Sequence, residues 1–223
     1  MSGSQDRIRL LTSSGANLTI AESYRTLRTN LGFAAGGAEI GTLLVTSTVP
    51  SEGKSTTVSN LAVSYAETNK KVLLVDADLR RPSLHHLFAV PPRFGLSYLL
   101  TDQCKLEEAI TDTFIPNLSI IPSGPSLSNP YDCLGSSRMD DILGQLKERY
   151  DIILIDSSPV LAVSDAQLLS KKCDGVLFVI RYGQVKRTLV QKAIAQLRHA
   201  DAHLLGVVLN DKKRSRQDRA YSY

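Results

Sequence analysis

The residues best equipped for chemistry fall in three short runs. The first, Thr48-Val49-Pro50-Ser51-Glu52-Gly53-Lys54-Ser55-Thr56, follows the apolar run 42–46 and opens a helix that starts near Lys54 and continues past Asn60. Successive backbone N–H groups over Ser51, Glu52, Gly53, Lys54, Ser55 and Thr56, with the positive end of that helix, can cradle phosphate oxygens. Lys54 can reach the β and γ phosphates of ATP, and the Ser55 hydroxyl can ligate Mg²⁺. The pattern GxxxxGK[ST] is met except at its first glycine, where Thr48 stands; the alternative is a plain Gly-Lys turn opening a helix.

The second run, Val72-Leu73-Leu74-Val75-Asp76-Ala77-Asp78-Leu79-Arg80, is an apolar segment closed by two carboxylates, and the third, Ile152-Ile153-Leu154-Ile155-Asp156-Ser157-Ser158-Pro159, repeats the arrangement with one. Ligands bind at the C-terminal ends of strands in open α/β sheets, so three such ends can converge on one Mg·ATP. Any single aspartate after a strand also serves as a turn former or helix cap. Three of them beside a phosphate loop are tolerable only with a metal between them and the polyphosphate.

Elements that could position these runs recur along the chain. Residues 42–46, 72–75, 118–121, 152–155, 176–180 and 204–209 are short, apolar and bounded by Gly, Pro or Asp, which reads as buried strands. Between them lie amphipathic segments such as 186–200, with Val190, Ala193, Ile194 and Leu197 at helical spacing. A helix over 21–34 precedes the first strand, with Ala21, Tyr24, Leu27 and Leu31 as its apolar stripe. Strands apolar on both faces alternating with helices predict an α/β fold, a single doubly wound domain with a mostly parallel central sheet, and the phosphate loop after its first strand makes this the P-loop NTPase fold. The turn-rich stretch 91–130 predicts ordered loops around one strand. The expected division is an N-terminal tail over 1–17, the domain over 18–210 and a basic, tyrosine-bearing tail over 211–223.

Composition removes several classes of function. Of the formal net charge of +4, residues 211–223 contribute three, through Lys212, Lys213, Arg214, Arg216 and Arg219 against Asp211 and Asp218. The body is therefore not a basic platform, and no nucleic-acid partner is expected. Cys104, Cys133 and Cys173 are odd in number and lack metal-ligand spacing, which suits a reducing cytoplasm. The four histidines show no triad or metal spacing, and no run approaches the roughly 20 apolar residues that span a bilayer.

The three runs together resemble the bacterial tyrosine kinases of the capsule and exopolysaccharide type, with their Walker A loop, their hhhDxDxR strand and their hhhD[ST]xP strand. Glu22-Ser23-Tyr24-Arg25-Thr26-Leu27-Arg28 matches that family's ExxRxxR segment, as does the run from Pro122 to Pro130, so the resemblance covers about residues 18–210. It implies that Lys54 stabilises the transferred phosphate, that Ser55 and Asp156 position Mg²⁺ with help from Asp78, and that Asp76 is the base for a tyrosine hydroxyl. Arg80 would be structural or at a subunit contact. It further implies that the phosphate acceptors are tyrosines at the C-terminus, here Tyr221 and Tyr223, reached in trans by a neighbouring subunit. Phosphorylation would add about −1.5 to −2 charges to each, beside the basic residues of the tail, and so loosen a ring of subunits.

Glu22, Arg25 and Arg28 would join those subunits, although their spacing alone fits a solvated face with a Glu22–Arg25 pair. The implied partners are a transmembrane adaptor that recruits the cytoplasmic chain to the inner face of the membrane, and protein substrates in sugar metabolism. Asn210 ends the last strand where related ATPases contact adenine; it is also an ordinary turn residue. Two departures stand out: Ser51 replaces a usual glycine, which matters if its φ is positive, and the tyrosine cluster is short. The alternatives are a partition-type ATPase switch, disfavoured by Val49 where those relatives carry a lysine, and a weakly catalytic ATP-binding scaffold.

Overall fold

In the computed structural model of the chain, residues 18–211 are described. In order they form α1 (Leu18–Ala34), β1 (Thr42–Ser47), α2 (Lys54–Ala66), β2 (Val72–Asp76), α3 (Leu84–Leu87), α4 (Leu96–Leu100), α5 (Leu106–Ala109), β3 (Thr111–Asp112) and β4 (Leu118–Ile121). There follow α6 (Pro130–Gly135), α7 (Ser137–Lys147), β5 (Ile152–Asp156), α8 (Asp165–Ser170), β6 (Gly175–Arg181), α9 (Arg187–His199) and β7 (Leu204–Asn210). The strands build one sheet in the order β3-β4-β2-β5-β1-β6-β7. All its pairings are parallel except β3 with β4.

Side chains of each central strand alternate between two cores, the consequence of the two-residue strand period. Leu73, Val75, Ile153, Ile155 and Phe178 face α4 to α9, whereas Leu43, Val45, Leu74, Leu154 and Val179 face α1 to α3. A sheet buried on both faces explains why its strands read as unbroken apolar runs. α1 lies on α2, with Ala21 and Leu31 buried and Tyr24 and Leu27 half-buried. The Tyr24 hydroxyl interacts with Thr57 and Asn60 of α2, and burial raises its pKa.

The stretch 91–130 holds more structure than loops around one strand. Besides β4 it contains α4, α5 and the two-residue β3, which extends the sheet antiparallel to β4. Leu96, Leu99, Leu100 and Leu106 are buried, but helices of four or five residues are too short to show a periodic stripe. Gly95 is obligatory here, because a Cβ would collide with the Pro122 carbonyl and the Gly124 backbone. No helix among the described residues is long and apolar enough to cross a membrane.

Candidate functional site

Strand order converts the three sequence runs into one site. β5 lies between β1 and β2, with Asp76 beside Asp156 in register and Val45 on the other side of Asp156. The phosphate loop leaves β1 next to these acids. A cavity of about 410 Å³ opens there, lined by Ser51, Lys54, Ser55, Asp78, Arg81 and Ser158 among others.

Ser51 has φ +67° and Gly53 φ +91°. At Gly53 glycine suits the positive φ, and any Cβ would also have to displace the Asn210 carboxamide. Ser51 carries the left-handed strain that a glycine would avoid. Thr48 does not have a positive φ and is buried, so the missing first glycine costs the loop nothing in backbone conformation. Ser51→Gly is therefore expected to raise stability by about 0.5 kcal/mol, strain relief less the entropy that glycine adds to the unfolded chain. Chemical denaturation checks this; a loss of more than about 1 kcal/mol would mean that the serine side chain itself supports the loop.

Lys54 Nζ lies 3.0 Å from Asp78 Oδ2, and both side chains are at least nine-tenths buried. Burial lowers the Lys54 pKa, but Asp156 and Asp78 outweigh it and leave the pKa raised, so the ammonium is charged. Asp78 Oδ1 accepts hydrogen bonds from Ser158 Oγ at 2.8 Å and the Arg81 N–H at 3.2 Å. Both of its oxygens are thus satisfied within the chain. Asp76 is different: its Oδ2 accepts from the Ser83 and Leu84 N–H groups, each at 3.1 Å, while Oδ1 has no partner. Neither oxygen of Asp156 has a hydrogen bond of full geometry, although the Ser55 hydroxyl and the Ser157 N–H lie near enough to lower its pKa.

These differences set the electrostatics. Burial, then the Asp156 charge, push Asp76 up to about 8. Burial pushes Asp156 up to about 6 against the opposing pull of Lys54. Buried carboxylate oxygens without partners are what a hard cation satisfies, so Ser55 and Asp156 fit Mg²⁺, while Oδ1 of Asp76 is left open to accept a proton. Among the described residues no group of three or more His, Cys, Asp or Glu is placed to hold a metal ion by itself. Asp78, expected to help at the metal, holds Lys54 and the loop after β2 in the free protein.

Sequence reasoning missed several supporting residues. Asp165, fully buried at the start of α8, is one: it accepts from Arg80 at 2.9 and 3.3 Å, a contact that fits the structural role expected of Arg80. Ser158 and Arg81 were also missed, because nothing local marks a serine or a second arginine as facing Asp78. Asn210 donates from Nδ2 to the Glu52 carbonyl at 3.0 Å, which places it against the phosphate loop. Tyr221 and Tyr223 lie outside the described residues.

The three residues of the expected assembly segment are engaged within the chain. Arg25 pairs with Glu22 at 3.5 Å and with Glu67 at 3.4 Å. Arg28 turns onto α2, where it meets the Ser64 carbonyl and hydroxyl. Glu22 and Arg25 remain exposed; Arg28 is half-buried and, within the chain, ties α1 to α2.

A family model described as an AAA domain matches residues 51–203. The tyrosine-protein kinase YwqD of Bacillus subtilis is 38% identical over 203 residues, 91% of this chain and 85% of that protein. The chain belongs to the bacterial tyrosine kinase family. A putative tyrosine-protein kinase of Staphylococcus aureus, CapB, is 34% identical across 92% of this chain and 90% of its own. The kinase domain of the Escherichia coli tyrosine kinase ETK superposes with a TM-score of 0.88 at 32% identity, covering 97% and 85% of the two chains. The septum site-determining protein MinD of Pyrococcus horikoshii, complexed with Mg-ADP, is more distant, with a TM-score of 0.67 at 28% identity over 80% and 73%. As a bacterial tyrosine kinase the chain has the P-loop α/β fold expected, with its nucleotide-binding loop intact but for the two replaced glycines.

Proposed function

We propose that this chain is an ATP-dependent protein-tyrosine kinase that phosphorylates tyrosines of its own C-terminal tail in trans and regulates capsular or exopolysaccharide synthesis and export. The observation that carries this reading is the meeting of Lys54, Ser55, Asp76, Asp78 and Asp156 at the adjacent ends of β1, β2 and β5. The phosphate loop and Lys54 hold the β and γ phosphates. Ser55 and Asp156, with help from Asp78, would hold Mg²⁺, which when bound supplies positive charge against the developing charge of the transferred group. The phenolic oxygen forms a bond to the γ phosphorus as the bond to the β–γ bridging oxygen breaks, ADP leaves, and Asp76 accepts the phenolic proton. A tyrosine hydroxyl ionises near pH 10, so a carboxylate whose pKa is raised towards neutrality is a better matched acceptor than an ordinary aspartate. Asn210 is at hand for the adenine.

Domain division, recruitment and assembly are parts of the same reading: a kinase domain over 18–210 between tails 1–17 and 211–223, bound to a transmembrane adaptor of the polysaccharide machinery and assembled as a ring. For assembly, the exposed pair is the informative one. Glu22→Ala/Arg25→Ala is expected to lower the solution mass while leaving Tm within about 2 °C, since exposed pairs contribute at most about 1 kcal/mol. Arg28→Ala is expected to cost about 1–2 kcal/mol by stripping hydrogen bonds from Ser64. Light scattering and thermal melts separate the two; a mass unchanged in the first variant removes the pair from any interface.

Incubation with Mg²⁺ and γ-labelled ATP tests the reaction. Label on tyrosine is the expected result, and release of all label as inorganic phosphate would replace the kinase by an ATP-hydrolysing switch of the MinD kind.

A further inference from the structure

A carboxylate inside an anion-binding loop needs explaining, because beside phosphate it would repel the ligand. Glu52 is 1% exposed and its side chain does not line the cavity. It points the other way. Oε2 accepts the Val49 N–H at 2.8 Å, closing the loop on itself, and Oε1 accepts the Arg181 N–H at 3.1 Å, at the end of β6. The Glu52 carbonyl takes the Asn210 amide at 3.0 Å, and the Ser51 carbonyl takes Arg181 Nη1 at 3.3 Å. Arg181 and Asn210 are register partners on β6 and β7, and Arg181 Nε is held at 2.7 Å by Asp211. Four bonds therefore lash residues 49–52 together and to two strand ends about 130 to 160 positions away in sequence. The lashed segment includes Ser51, the loop's strained residue, whose φ of +67° needs surrounding structure to hold it.

We infer that Glu52 is a positioning residue: its buried carboxylate sets the shape of the phosphate loop before a nucleotide arrives and ties that shape to the ends of β6 and β7. The loop's N–H groups are then already aimed at the phosphates, and binding does not bear the cost of ordering them. Because Asn210 is part of the same lashing, a group that engages the end of β7 also firms the phosphate grip. This inference rests on the nucleotide-binding reading of the loop and is independent of which hydroxyl receives the phosphate.

Glu52→Gln keeps the shape but sets an NH₂ against one of the two N–H donors. Calorimetric titration of the full chain with Mg·ADP is expected to show affinity lowered about tenfold, the effect of one lost charge-assisted bond, and the KM for ATP is expected to rise by more than kcat falls. Arg181→Ala, which removes only the tie to the Ser51 carbonyl and the Asp211 pair, is expected to lower affinity about threefold with the fold kept; it also stands in if Glu52→Gln does not fold. Combining Glu52→Gln with Asn210→Ala is expected to cost less than the product of the single losses, since both cut one lashing. Folded variants that bind Mg·ADP within twofold of the natural chain, or a kcat loss at unchanged KM, overturn the positioning role. A natural chain that binds no Mg·ADP in the same titration would overturn the nucleotide reading as well.

Discussion

Replacing Lys54 by alanine is expected to lower phosphotransfer by a factor of about 10²–10³ and to destabilise the protein at the same time. The first effect follows from removing a positive charge preset where charge develops on the transferred group. The second follows from the pair it makes in the free protein. Asp78 is left with an unpaired oxygen at a site that is nine-tenths buried, and Asp156 loses its main favourable neighbour. Breaking a buried pair from one side costs about 3 kcal/mol, a fall in Tm of about 8 °C for a chain of this length. Asp156 and Asp76 already carry raised pKa values, and without the pull of Lys54 that of Asp156 rises further. A carboxylate raised in the folded state favours folding below its folded pKa and loses that preference as pH rises. The Lys54→Ala melt should therefore fall further behind the natural chain at pH 8 than at pH 5. An equal deficit at both would mean that the lysine does not compensate these acids.

Asp76→Asn should do the reverse for stability while ending the reaction. The carboxamide of that variant retains an oxygen for the Ser83 and Leu84 N–H groups, and it carries no charge to be buried beside Asp156. With Asp76 at about 8 in the folded protein and about 4 when unfolded, the natural chain loses stability progressively from about pH 4 to pH 8, the window in which only the folded state keeps the proton. The substitution removes that slope. Denaturant titrations are expected to show the variant close to the natural chain at pH 4 and more stable, on the order of 2 kcal/mol, at pH 8. Phosphotransfer should drop by about 10²–10⁴, the contribution of a placed general base. In the natural chain kcat/KM should rise with pH, since the base must be deprotonated to work. A variant less stable at pH 8 would show that Asp76 is ionised in the free protein.

Much of this site was legible before folding. β1, β2 and β5 are contiguous apolar runs because the sheet is covered on both faces, and the acids that end them lie beside those runs in sequence. Each strand extends one residue past its apolar run, to Ser47, Asp76 and Asp156, so that the polar residue itself pairs in the sheet. The spacing could not reveal strand order. It is the placing of β5 between β1 and β2 that brings Asp156 into register with Asp76. For the same reason Ser158 with Asp78, Arg80 with Asp165 and Glu52 with Arg181 were invisible: each joins residues 80 or more positions apart through side chains that look ordinary locally. The tie from Arg28 to α2 was invisible for a related cause, because a charged side chain at helical spacing does not declare whether its head meets solvent or a neighbouring helix's carbonyl.

The central claim, transfer of the γ phosphate from this site to the tail of another subunit, is met most directly by mixing two variants. Lys54→Ala supplies an intact tail without a working site, and Tyr221→Phe/Tyr223→Phe supplies a working site without the terminal acceptors. With Mg²⁺ and γ-labelled ATP, mass mapping should find phosphate on Tyr221 or Tyr223 of the Lys54→Ala chain only in the mixture. Absence of tyrosine phosphate from the mixture while ATP is consumed would contradict the account.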